Sequence, residues 1–113
     1  MTSVAIAGHC LVGPGFPTPT NSYRVTHAVP DKPTLNWCVK ECAQLQRPVG
    51  INYGGLVQVG PYAECFCLVQ FTPTPAVGAC SPCVKYPSLE TWGKCGSGNP
   101  SNGYIGAVYG APV

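Results

Sequence analysis

Eight cysteines, at positions 10, 38, 42, 65, 67, 80, 83 and 95, stand in a chain of 113 residues that also carries 14 glycines and 13 prolines. An even cysteine count in a short Gly/Pro-rich chain reads as a disulfide framework formed in an oxidising compartment. Glycine frees the backbone and proline locks it, which excludes a helical bundle or coiled coil. Hydrophobic residues are 45% of the chain, enough for a real but small core, so crosslinks that restrict the unfolded ensemble matter greatly to stability. At 9%, charged residues are too few for a disordered, solvating chain. A single loop-rich domain over residues 1–113 is expected.

Other uses of cysteine fit less well. Zinc needs two close ligand pairs of matching spacing, yet only Cys80 and Cys83 have a two-residue gap, and His9 and His27 are remote in sequence. Cys80-Ser-Pro-Cys83 has the form of a thioredoxin-like pair, but no strand leads into it and no helix follows to lower a thiol pKa. No metal and no cofactor are expected. The charged residues, Arg24, Lys32, Lys40, Arg47, Lys85 and Lys94 against Asp31, Glu41, Glu64 and Glu90, are scattered singly. They form no basic stripe to track phosphates, so nucleic acid is not an expected partner. The uncharged stretch from Phe71 to Val84 is broken by Pro73, Pro75, Gly78 and Pro82, and no apolar run approaches bilayer length, so no membrane insertion is expected. Met1 to Gly8 lacks a basic leader and a full hydrophobic region; Met1 is read as a start that replaces a removed signal peptide. The expected location is secreted or extracellular, at a cell wall or cell surface.

Along the chain, His9 to Val12 and Tyr23 to Val25 read as short strands. Thr34 caps a helix from about Leu35 to Gln46, ended by Arg47-Pro48. Leu35, Cys38, Val39, Cys42 and Leu45 fall at helical spacing and put both cysteines on the buried face. Ile51 to Tyr53 reads as strand, Gly54-Gly55 as a break, Leu56 to Val59 as its resumption, and Gly60-Pro61 as a turn. In Glu64-Cys65-Phe66-Cys67-Leu68, strand alternation puts Cys65 and Cys67 on one face and Glu64, Phe66 and Leu68 on the other. Phe71 to Gly103 reads mostly as loop, and Tyr104 to Tyr109 as a final strand.

The helix presents Cys38 and Cys42 with about 6 Å of rise between them, and the strand presents Cys65 and Cys67 about 7 Å apart. The matched spacing allows two parallel rungs that staple helix to sheet and leave Cys10, Cys80, Cys83 and Cys95 to pair among themselves.

The order of these residues resembles the WSC domain, a secreted cysteine-rich module of fungal cell-wall sensors, fungal carbohydrate-active enzymes and some animal receptors. The resemblance covers about residues 8–109. It is carried by Cys10, Cys38 to Cys42 with Ala43, Glu64-Cys65-Phe66-Cys67, Cys80 to Cys83, Cys95-Gly96 and Val108-Tyr109. The chain departs from the family pattern at His9 and Leu68, where glycine is usual, in a shorter Cys80–Cys83 spacing, and in longer segments at Gly55 to Ala63 and Val84 to Lys94. The resemblance implies an α+β fold, a small disulfide-rich domain with one main helix packed on an antiparallel β-sheet, as in apple or PAN modules. It also implies a carbohydrate-binding role toward fungal-type or other extracellular glycans. The implied disulfides are Cys38–Cys65, Cys42–Cys67, Cys10–Cys80 and Cys83–Cys95; the first two agree with the two rungs.

Sugar binding needs flat apolar faces for pyranose C–H groups and planar polar groups for hydroxyls. Tyr53, Tyr62, Trp92 and Tyr104 are the candidate platforms, and Asn52, Glu64, Asn102 and Arg24 the candidate polar partners. Trp92 is expected in an exposed loop, whereas Phe66 and Trp37 are assigned to packing. Catalysis is not expected: a glycosidase needs two carboxylates across a cleft, and only Glu64 and Glu90 are candidates to approach one another. A glycan-binding module is thus the first reading, and a secreted effector or inhibitor that binds a protein the alternative. Finally, Tyr104 to Tyr109 is uncharged and apolar on both faces, so an open edge there would support a homodimer through the C-terminal strand. The family resemblance instead implies a central place for that strand.

Overall fold

The computed structural model describes residues 8–12, 22–45, 50–75, 78–97 and 106–113. Among them the chain has a single helix, α1 (Leu35–Leu45), whose start follows from its cap: Thr34 Oγ1 accepts from the Trp37 backbone N–H at 3.1 Å. Gln46, the expected last residue of the helix, lies outside the described residues. The strands are β1 (His9–Val12), β2 (Ser22–Arg24), β3 (Ile51–Val59), β4 (Tyr62–Val69), β5 (Thr74–Pro75), β6 (Cys80–Lys85), β7 (Glu90–Ser97) and β8 (Val108–Pro112). They form a mainly antiparallel sheet in the order β2-β4-β3-β8-β1-β5, with β7 joining β3 in parallel and β6 pairing with β7. This is the expected α+β, disulfide-rich architecture of one helix packed on an antiparallel sheet.

Strand alternation separates two cores. On the helix side, Leu56, Ala63, Cys65, Cys67 and Ala111 pack with Leu35, Cys38, Val39 and Cys42 of α1, and Trp37 lies partly buried against them. On the other side Val57, Phe66, Leu68 and Val108 pack with Leu11 and Phe71. The sheet is therefore buried on both faces through β3, β4 and β8, which is why Phe66 and Leu68 are as apolar as the residues they alternate with. Glu64, on the same strand face, escapes burial because it lies near the start of β4.

Four disulfides cross this frame: Cys38–Cys65, Cys42–Cys67, Cys10–Cys80 and Cys83–Cys95. The first two join α1 to β4 with Cα separations of 5.5 and 5.4 Å, both within the ordinary range for a disulfide. They are parallel rungs one helical turn apart. Gly54 lets the helix come this close, since a Cβ there would sit 3.1 Å from Cys42 Sγ and 3.2 Å from Val39 Cα.

Three expectations are corrected. Gly54-Gly55 does not break β3, which runs unbroken through both because a side chain there would meet α1 or β8. The described residues between Phe71 and Ser97 are mostly strand rather than loop: they include the β6–β7 hairpin, in which Pro82 and Gly93 fall at a bulge and Pro87 in the turn. The final strand begins at Val108 and extends to Pro112 rather than ending at Tyr109, while residues 101–105 lie outside those described. Both edges of this strand are occupied, by β3 and by β1, so it offers no open edge for a second copy.

Gly55→Ala tests the central packing. Its Cβ would overlap Val108 Cγ2 and stand 3.0 Å from Gly110 Cα. Overpacking of this kind costs about 1–3 kcal/mol, so the oxidised variant should melt several degrees lower; an unchanged melting temperature would contradict the packing described.

Candidate functional site

The edge strand β2 sets up a groove. Arg24 pairs in register with Phe66, and the next residue, Val25, donates its N–H to the Cys65 carbonyl at 2.8 Å before the chain leaves the sheet. The departing segment through Pro30 and Asp31 then stands away from the first residues of β4. Between them lies a groove of about 400 Å³, lined by Arg24, Val29, Asp31, Tyr62, Glu64, Lys85 and Trp92 among others. Its volume falls in the range of small-ligand sites, about 300–1,000 Å³.

Arg24 Nη1 donates to Glu64 Oε2 at 3.0 Å, and Lys85 pairs with Asp31 across the groove. The four charges of this site therefore cancel in two pairs. Tyr62 is 54% exposed and offers an open ring, while Val29 adds apolar surface beside it.

Trp92 is placed differently from expectation. It lies within β7, opposite Cys83, where Gly93 with φ +46° forms the bulge that shifts the register between Pro82 and Cys83. The indole is half-buried against the helix-side core and its Nε1–H donates to the Pro33 carbonyl at 3.3 Å. Lys32, ion-paired with Glu90, holds its Nζ 5.9 Å from the indole centroid, close enough for a cation–π contact. The segment at Lys32 and Pro33 thus straps Trp92, which lines two hollows. The second hollow, about 460 Å³, is walled by Leu35, Leu56, Lys94 and Tyr109 together with Trp92. Short and irregular texture around Gly93 disguised a bulged strand as a loop.

Of the residues singled out from sequence, Arg24, Tyr62, Glu64 and Trp92 converge on the groove. Asn52 and Tyr53 do not line it. Asn52 is the extra residue of a bulge in β3, and its side-chain amide donates to the Phe71 carbonyl at 3.0 Å while accepting the Phe71 N–H at 2.9 Å. Tyr53 packs edge-on to Phe71 on the far face, with ring centroids 5.6 Å apart. Asn102 and Tyr104 lie outside the described residues.

Several contributors escaped the sequence reading. Asp31 and Lys85 join the groove only through tertiary pairing and carried no local motif. Gln58 acts as a second amide clamp, donating to the Val84 carbonyl at 2.8 Å and accepting the Val84 N–H at 2.9 Å, which docks β6 onto the β3–β4 hairpin. Its place just before the Gly60-Pro61 turn was the available signal.

Glu64 and Glu90, the two carboxylates considered for hydrolysis, are engaged by Arg24 and Lys32, and Glu90 is not among the groove's lining residues. Among the described residues, the group whose ligand atoms lie close enough to share a metal ion is Cys38, Cys42 and Cys65, and all three sulfurs are held in disulfides. No described helix is long and apolar enough to cross a membrane. Comparison of the chain with protein-family models, curated proteins and solved structures returns no match.

Trp92 and Tyr62 should separate in a melting experiment. Trp92→Ala removes partly buried apolar area and a hydrogen bond, a loss of about 1.5–3 kcal/mol, whereas Tyr62→Ala removes an exposed ring and should stay within about 0.5 kcal/mol of the parent. Equal melting temperatures for the two variants would contradict the strapped position of Trp92.

Proposed function

We propose that this chain is a secreted, non-catalytic glycan-binding module of the WSC type, and that the groove bounded by Arg24, Tyr62, Glu64 and Trp92 is its sugar site. The observation that carries the reading is the convergence of these four residues, chosen for sugar chemistry and drawn from three separate segments of the chain, on a single groove. The Tyr62 ring and the exposed part of Trp92 offer flat apolar surface to pyranose C–H groups. Glu64 accepts from sugar hydroxyls and Arg24 donates to them, and their mutual ion pair holds both groups in position before a ligand arrives.

Cancelled charge in the groove suits an uncharged sugar better than an acidic one. The extensive disulfide bonding is consistent with an extracellular protein. Support for the WSC relationship comes from the disulfide pairing, which joins the same cysteines as the family resemblance implies, and from the helix-on-sheet architecture. Fungal-wall polysaccharides are the first ligands to try on that ground.

A glycan array combined with pull-down on insoluble chitin, β-glucan and mannan tests the proposal. Binding to at least one of these is expected, and Tyr62→Ala should weaken it about tenfold, roughly 1.4 kcal/mol, with little change in melting temperature. Absence of binding to every glycan, or full affinity in Tyr62→Ala, would contradict it.

A further inference from the structure

Among the described residues, the large apolar side chains that stand exposed are Val29, Tyr62, Tyr86, Leu89 and Val113. Val113, whose N–H donates to the Asn52 carbonyl, lies apart, but the other four belong to the groove and the turn beside it. Val29 and Tyr62 line the groove, and Tyr86 is fastened beside Tyr62 because its N–H donates to the carbonyl of the preceding residue, Pro61, at 3.1 Å. Leu89 follows in the same hairpin turn, its N–H donating at 3.1 Å to the carbonyl of Lys85, a groove residue. Exposed apolar side chains gathered beside a groove mark a place where something binds.

From this we infer that the groove is one end of a longer site, in which Tyr62 and Tyr86 carry successive units of an uncharged polysaccharide chain. The inference rests on the glycan-binding reading and extends it from a single sugar to an extended polymer. Tyr86, 50% exposed, lies outside the groove's lining and so adds surface beyond it rather than deepening it.

The β6–β7 hairpin that bears Tyr86 is held to the β3–β4 hairpin that bears Tyr62 by the Gln58 amide on Val84 and by the Tyr86 to Pro61 hydrogen bond. Lys85 adds a third tie through Asp31 on the opposite wall. The two rings therefore have fixed backbones before binding, and a repeating ligand meets them without ordering a loop. A tyrosine serves a sugar chain well, since its face takes C–H groups while its hydroxyl bonds to neighbouring hydroxyls. The charges nearest these rings, Asp31 with Lys85 and Arg24 with Glu64, are each neutralised by a partner, which gives no hold on an acidic or basic polymer and selects a neutral one.

The test is titration calorimetry with a disaccharide, a tetrasaccharide and a hexasaccharide of β-glucan and of chitin, on the parent protein, Tyr86→Ala and Tyr86→Phe. In the parent, affinity should rise about tenfold or more from the disaccharide to the hexasaccharide of the series that binds. Tyr86→Ala should flatten that rise, and Tyr86→Phe, which keeps the ring, should preserve it. Melting temperatures close to the parent's are expected for both variants because the side chain is half exposed. Equal affinity for all lengths in the parent, or an unaltered rise in Tyr86→Ala, would overturn the extended site while leaving the groove as a sugar site. Failure of every oligosaccharide to bind, as a surface built for a protein partner would give, would overturn the glycan reading together with it.

Discussion

The two rungs between α1 and β4 are the constraint on which the rest of the structure depends. A core this small leaves little margin for the entropy of ordering a chain rich in glycine, and each rung closes a loop of more than twenty residues, Cys38–Cys65 spanning 27 and Cys42–Cys67 spanning 25. Crosslinks of that size stabilise by about 2–4 kcal/mol each when taken singly. Both are fully buried among the helix-side core residues, so sulfur serves as packing material as well as a tie. With α1 fixed on that face, the segment between β2 and α1 runs along the groove and contacts Trp92 through the Pro33 carbonyl and Lys32. The groove is the space between that segment and the start of β4.

Side-chain amides complete what the disulfides begin. β3 sits near the centre of the sheet, and two of its residues reach out to backbone elsewhere: Asn52 fixes the exit from β4 at Phe71, beside Gln70 with its left-handed φ of 50°, and Gln58 fixes β6 at Val84. Each amide satisfies the N–H and the carbonyl of one residue, as a neighbouring strand would, and Gln58 also donates to the Gly60 carbonyl at 3.1 Å. Of the groove's walls, β4 and β6 are thus tied to β3, while the wall that follows β2 is tied to β4. Rigid walls suit the sugar site proposed for this groove, where recognition would rest on shape and hydroxyl pattern.

How much of this could be read in the sequence differs by the range of the signal. The helix was legible because Thr34 caps it and Leu35, Cys38, Val39 and Cys42 repeat at its period, all local features. The two rungs were legible because helix rise and strand rise are fixed quantities that happen to match over these cysteines. By contrast the β6–β7 hairpin was hidden, since Pro82 and Gly93 are strand breakers by composition and only the bulge that uses them makes a strand of the segment. Asn52 reads in sequence as a sugar-binding amide, whereas its side chain clamps the Phe71 backbone away from the groove, a partner that no side-chain pattern announces. Trp92 was marked for its context in a polar stretch, and the carbonyl of Pro33 that holds it comes from a distant turn. Arg24 meets Glu64 because β2 and β4 are paired neighbours, a pairing that the sequence reading did not specify.

The account stands or falls on the covalent frame, since a different pairing would move α1, reroute the chain over Trp92 and dissolve the groove. Proteolysis of the native protein without reduction, followed by mass spectrometry of the linked peptides, reads that frame directly. The account predicts peptides joined through Cys38–Cys65 and Cys42–Cys67, together with Cys10–Cys80 and Cys83–Cys95, and no free thiol. A Cys38–Cys42 bond within the helix, or unpaired cysteines among Cys38, Cys42, Cys65 and Cys67 in native protein, would contradict it.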